Sequence, residues 1–185
     1  MVRFLLYAVG ALVALALLVV VVGLVLPAQH VVARRLVLAA PPDRAWTLLT
    51  SPDSFPAWRR DLQRVEPLAP DAEGHARWRE TSRMGTIPFR VMASTPPTAT
   101  TPGRRVTRID DPALPFGGDW ELVVAPAGGG GSTVTITERG EVRNPVFRAL
   151  SRFVFGHAST MEAVLRDLAA HLGETGAPAA VAATP

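Results

Sequence analysis

The sequence predicts an α+β domain, a curved antiparallel sheet around a long C-terminal helix, preceded by one transmembrane helix. Three observations predict it. Residues 4–26 are uninterruptedly apolar and uncharged, residues 62–142 break into short alternating segments split by Pro, Gly and Asp, and residues 147–172 carry apolar side chains at steps of three and four.

The apolar run Phe4 to Leu26 has 23 residues, which as a helix is about 34 Å long. A bilayer core is roughly 30 Å thick, so the run is long enough to cross it. A cleaved secretory signal is the competing reading, with Arg3 as its n-region and Leu26-Pro27-Ala28 as a loose cleavage site. Signal cores run to about 7–15 residues; this one is longer, and it is read as a retained single-pass anchor in the cell membrane. Arg3 before it and Arg34, Arg35 and Arg44 after it leave the side of the soluble domain undetermined.

The anchor occupies residues 1–28, a single domain residues 29–173, and an Ala/Pro-rich tail, expected to be disordered, residues 174–185. All 19 basic residues are Arg, against 16 acids, for a net charge of +3. The high pI of 10.8 therefore reflects arginine's pKa more than an excess of positive charge. Because acids are interspersed with arginines throughout, no basic stripe for nucleic acid is present. The absence of cysteine excludes disulfides, thiol catalysis and thiolate metal sites. Histidines 30, 75, 157 and 171 form no His-Glu-x-x-His pattern, so no metal or cofactor is expected.

Val31 to Leu38 reads as a strand stopped by Pro41-Pro42. Pro42 suits a first helical turn and Asp43 its N-terminus, with Ala45, Trp46 and Leu49 on one side, and a second short helix over residues 52–58 carries Phe55 and Trp58. Six strands follow, near residues 63–67, 75–82, 87–95, 104–109, 120–125 and 133–142. The run Gly128 to Gly131 precedes a strand and is read as a hairpin loop, because a phosphate-binding loop opens a helix. Asn144-Pro145 opens the last helix, closed by Gly173 and interrupted by Gly156, which marks a kink or a close approach.

Residues 36–49, Leu-Val-Leu-Ala-Ala-Pro-Pro-Asp-Arg-Ala-Trp-Thr-Leu-Leu, and Phe55-Pro56-Ala57-Trp58 resemble the opening of the SRPBCC superfamily, START-like or polyketide cyclase/dehydrase-like proteins. Residues 111–120 and 138–145 resemble members that carry an N-terminal membrane segment. The resemblance spans Val31 to about Gly173 and implies the helix-grip (START/Bet v 1-like) fold, with a cavity between sheet and C-terminal helix. It implies a hydrophobic small-molecule partner such as a lipid, isoprenoid or polyketide-like compound. The protein partner is undetermined, and a domain that binds another membrane protein is the last-ranked alternative.

Strand parity selects candidate site residues. Trp78 and Glu80 share one face of their strand, and Val134, Ile136 and Glu138 one face of theirs, so two carboxylates are placed toward the interior. His157 lies on the apolar stripe of the last helix. Glu80, Glu138 and His157 are the catalytic candidates for a cyclase, aromatase or dehydratase working by proton transfer. The ligand-lining candidates are Trp58, Trp78, Trp120, Phe116, Phe147, Phe153 and His157. No nucleophile elbow is present, and a membrane-anchored binding protein is the first reading.

Overall fold

A computed structural model describes residues 1–183 apart from His157, with backbone alone for Val154 and Phe155. Helix α1 spans Val2–Val25 and leads through a short linker into β1, Gln29–Leu38. Helix α2 (Pro42–Thr50), a 3-10 turn (Pro52–Ser54) and α3 (Phe55–Trp58) follow. The antiparallel meander is β2 (Leu62–Leu68), β3 (Arg77–Ser82), β4 (Gly85–Thr95), β5 (Gly103–Ile109), β6 (Phe116–Pro126) and β7 (Ser132–Val142). Then come α4 (Pro145–Leu150), a π turn (Ser151–Phe155), α5 (Ser159–His171) and β8 (Ala179–Val181). The sheet order is β2-β3-β4-β5-β6-β7-β1-β8, so β1 crosses over to pair with β7.

Register decides which side chains face the helices, because opposed residues in an antiparallel pair share a face. From Leu36 opposite Val134 and Val134 opposite Val124, the inner face follows through Leu122 opposite Arg105 and Val91 opposite Thr107 to Phe89 opposite Trp78. Met161, Val164, Leu165, Leu168 and Ala169 of α5 join that face in one core cluster. Carboxylates then fix the helix in place. Arg34 Nε donates to Glu162 Oε1 at 2.6 Å, Asp167 accepts from the Arg60 backbone N–H at 2.9 Å, and Glu174 accepts from the N–H groups of Ala39 and Ala40.

The outer face is a cross-strand ladder of charge. Arg104 and Arg139 both bond Glu121, and Arg108 bonds Asp119. Burial works to raise the Glu121 pKa, but its two arginines outweigh that and hold it below the usual glutamate value. The ladder pairs three of the arginines with acids on this face.

Two sequence expectations change. The last helix is not continuous: Gly156 takes φ +73, a left-handed conformation open to glycine, and divides α4 and its π turn from the 13-residue α5. The tail expected to be disordered carries β8, in which Ala179, Ala180 and Val181 pair with Arg35, Arg34 and Ala33. The outer edge of β1 presents unpaired backbone groups, and small residues can lie flat along it.

Helix α1 is long and apolar enough to span a membrane, with Gly23 its one buried residue. A Cβ at Gly23 would fall 1.9 Å from the Pro145 carbonyl oxygen, so only glycine permits this approach of α1 to α4. Arg148 of α4 donates to the carbonyl oxygens of Gly23 and Leu26 at 3.0 and 3.1 Å, capping the end of α1 where helix carbonyls lack partners. Asn144 in turn caps α4, its Oδ1 accepting from Val146 and Phe147 N–H.

The Arg34 hydrogen bond holds the Glu162 carboxyl below its usual 4.5, so the folded state binds its proton more weakly than the unfolded chain. The stabilisation is full above that ordinary value and is lost as pH falls through the lower folded value. Thermal midpoints of the native chain should therefore exceed those of Glu162→Gln by a constant margin above about pH 5, and the margin should close on further acidification. A margin unchanged down to about pH 3 would contradict this role.

Candidate ligand cleft and its arginines

The inner face carries two matching constellations, each a glutamate held between an indole N–H and a second side chain, Arg59 or His30. On β3, Glu80 is 8% exposed; its Oε1 accepts from Trp78 Nε1 at 2.9 Å and its Oε2 from Arg59 Nη1 at 2.9 Å. On β7, Glu138 accepts from Trp120 Nε1 at 2.8 Å and from His30 Nε2 at 2.9 Å. The strand positions explain both. Trp78 and Glu80 are two apart on one strand, whereas Trp120 and Glu138 are directly opposed on β6 and β7. His30 opposes Gly140, where an added Cβ would fall 2.2 Å from the imidazole, so the missing side chain makes the seat for the ring.

Both glutamates thus face inward, but they do not converge. Three strands separate β3 from β7, which is four spacings or roughly 19 Å along the sheet at about 4.8 Å each. Each carboxylate is engaged at both oxygens by its own donors. The third catalytic candidate, His157, lies outside the described residues.

The aromatic candidates divide. Trp78 is buried and stacks on Phe89 with ring centroids 5.6 Å apart. Trp58 is buried in the core against Phe55, edge to face, and its Nε1 finds no acceptor among the described residues. Trp120 and Phe116 are half-buried on β6. Phe147 and Phe153 are 45% and 69% exposed, on α4 and the π turn, and so lie outside the interior. Their apolar spacing continued that of α5, but the break at Gly156 ends the common stripe.

The open volume also differs from expectation. The space between the sheet and α5 is filled: Leu36, Val124, Val134, Met161, Leu165 and Leu168 are all less than 2% exposed. A cleft of about 540 Å³ lies instead under the 3-10 turn that follows α2, against β2 to β5, lined by Pro52, Pro67, Trp78, Val91, Ser94 and Arg105 among others. Its residues sit toward the ends of β2 and β4 and the starts of β3 and β5. In the antiparallel register this is the end of the sheet opposite the one at which α1 joins β1.

Arg105 is the unforeseen member of this cleft. It is 8% exposed, its guanidinium lies 5.4 Å from the Trp78 ring centroid, and Nη1 donates to the Thr50 carbonyl at 2.5 Å. Burial lowers its pKa from the usual guanidinium value. The sequence held a signal for it: in a strand, the neighbours Arg104 and Arg105 must project to opposite faces. At the cleft margin, Asp71 accepts from the His75 backbone and ring and from Arg90. Burial works to raise the Asp71 pKa, but these bonds outweigh it and bring it to about 2.

A six-strand meander extended by β1 and the edge strand β8, with closing helices and an N-terminal apolar helix, defines a helix-grip domain behind a candidate membrane span. The chain belongs to the polyketide cyclase / dehydrase and lipid transport family, whose pattern matches residues 29–173. Solved structures share the fold at low identity. Norcoclaurine synthase from Thalictrum flavum superposes with a TM-score of 0.58 at 12% identity, covering 79% of this chain and 87% of that one. A START superfamily protein from Mycobacterium smegmatis gives 0.55 at 16%, covering 78% and 97%, and a hypothetical protein from Helicobacter pylori 0.58 at 11%, covering 77% and 85%. No curated protein matches the sequence.

Glu80 is the residue on which the β3 constellation turns. Glu80→Ala would leave the buried Arg59 with only Asp61 and strand the Trp78 N–H, and should lower unfolding free energy by about 3–5 kcal/mol in denaturant titration. Loss of less than about 1 kcal/mol, the range of exposed pairs, would contradict the pairing.

Proposed function

We propose that this protein is a membrane-tethered binding protein for a hydrophobic small molecule, which it holds in the cleft beside Trp78. The observation that carries the reading is the cleft itself: an opening of about 540 Å³ whose lining includes Trp78 and Val91 from the inner face of the sheet. That volume lies in the range of small-molecule sites, about 300–1,000 Å³. Membership in a family described by cyclase, dehydrase and lipid-transport members supports an apolar ligand.

The tether follows from α1, whose length and hydropathy fit a bilayer span. Arg148 and the Gly23–Pro145 approach join that helix to α4, so the domain is held at a set angle to its anchor. With the cleft at the opposite end of the strands, its mouth is directed away from the point of attachment. Such a protein presents its ligand to the aqueous side, where a soluble or membrane partner can take it up, while its anchor keeps it near the source of apolar molecules.

The full chain purified in a mild detergent should carry an apolar compound, detectable by mass spectrometry of an organic extract. Ser94 is exposed at the cleft and opposes Arg105, so Ser94→Trp should fill the opening with little cost to the fold. Ligand occupancy is expected to drop at least about ten-fold in that variant, equivalent to about 1.4 kcal/mol. Equal occupancy in the two proteins, or an extract free of any such compound in both, would refute the assignment.

A further inference from the structure

The sequence contains three Arg-Arg pairs, at residues 34–35, 59–60 and 104–105. Each sends one arginine inward and leaves the other toward solvent. Arg34 meets Glu162 at 2.6 Å while Arg35 is exposed, and Arg59 meets Glu80 at 2.9 Å while Arg60 is 80% exposed along its side chain. Arg105 is buried while Arg104 lies outside on Glu121. The third inward arginine breaks the pattern: no carboxylate among the described residues lies within 4.0 Å of it.

A guanidinium remains charged under any ordinary condition, and burying it without an anion is costly. One carbonyl and the face of Trp78 offset part of that cost for Arg105, and they use only one of the five N–H donors of the fork. The other charged groups around the cleft do not supply the missing anion. His75 and Arg77 are themselves cationic or neutral donors already engaged with Asp71 and Asp110, and Asp53, the one acid of the lining, stands beyond ion-pair distance of Arg105 on the exposed rim.

We infer that Arg105 is the head-group site of the cleft, and that the ligand is an amphiphile ending in an oxyanion, a carboxylate or a phosphate monoester. This rests on the reading of the cleft as an apolar-ligand site and specifies its ligand class. The oxyanion completes the fork of Arg105 by paired charge-assisted hydrogen bonds, and the apolar portion runs over Trp78 and Val91. Trp78 is the shared part. Its ring face supports the Arg105 cation while its N–H is held by Glu80, which fixes the indole plane and through it the guanidinium.

The test titrates the full chain, held in amphipol, with oleate, with 1-oleoyl lysophosphatidate and with uncharged monoolein by calorimetry. At least one of the two anions should bind about ten-fold or more tighter than monoolein, and the preferred anion distinguishes a fatty acid from a phospholipid source. In Arg105→Gln the preference should disappear while monoolein affinity is retained, and Arg105→Lys should keep part of it. Removal of a structural arginine would lower the denaturation midpoint; because Arg105→Gln strands no carboxylate, its midpoint should instead stay level or rise. Equal affinity of all three compounds for the native chain, or a preference that survives in Arg105→Gln, overturns the inference and leaves the apolar-ligand reading standing. Binding of none of them overturns both. Should Arg105→Gln not fold, the comparison of native chain and Arg105→Lys across the three ligands decides.

Discussion

Arginine cannot give up its charge, and in this chain it is the only basic residue besides histidine. Much of the architecture follows from that constraint. Strand alternation in β1, and the corner after α3, each turn one of two adjacent arginines toward the interior, and the interior then provides an anion. It does so from α5 for Arg34 and from β3 for Arg59. Arg60, the outer member of its pair, reaches back to Asp167, so the Arg59-Arg60 corner after α3 ties the sheet and the last helix together at one point. Buried ion pairs are weak sources of net stability but strict determinants of placement, since an unpaired member is heavily penalised. The helix position over the sheet is fixed in this way by Glu162, Asp167 and Glu174, while Met161, Leu165 and Leu168 supply the apolar contact area.

The two glutamate and indole constellations bracket the inner face. Each solves the same problem, a polar indole N–H taken out of water, by placing a carboxylate within reach and engaging its other oxygen with Arg59 or His30. Their consequence is rigidity at Trp78 and Trp120. Acid-base chemistry would require one of these carboxylates to be available to a substrate, and both oxygens of each are occupied by the protein's own donors. The buried guanidinium on that surface that meets no carboxylate among the described residues is Arg105.

Most of the fold was legible in the sequence because strand alternation, proline stops and the α5 periodicity are local signals. The strand positions near residues 87–95 and 133–142 fall within β4 and β7, and the parity argument for Glu80 and Glu138 agrees with the register. What was illegible depends on distance in sequence. Arg59 reaching Glu80, and His30 reaching Glu138 across 108 residues, are pairings that only the closed sheet creates. The filled space beneath α5 was equally hidden, since alternation says which residues point inward and not whether they meet. The long single helix was overread because the apolar spacing runs on through residues 147–153, although Gly156 carried the signal of a break. Phe147 and Phe153, assigned to the interior by that spacing, lie exposed for the same reason.

The cleft under the turn after α2 is proposed to receive an apolar ligand whose charged end meets Arg105. A crystal structure of the full chain grown with oleate tests it most directly. The carboxylate should lie at about 2.7–2.9 Å from the Arg105 guanidinium nitrogens, with the hydrocarbon along Trp78 and Val91. Oleate bound elsewhere with the cleft empty, or seated in the cleft with its carboxylate turned to solvent, would contradict it.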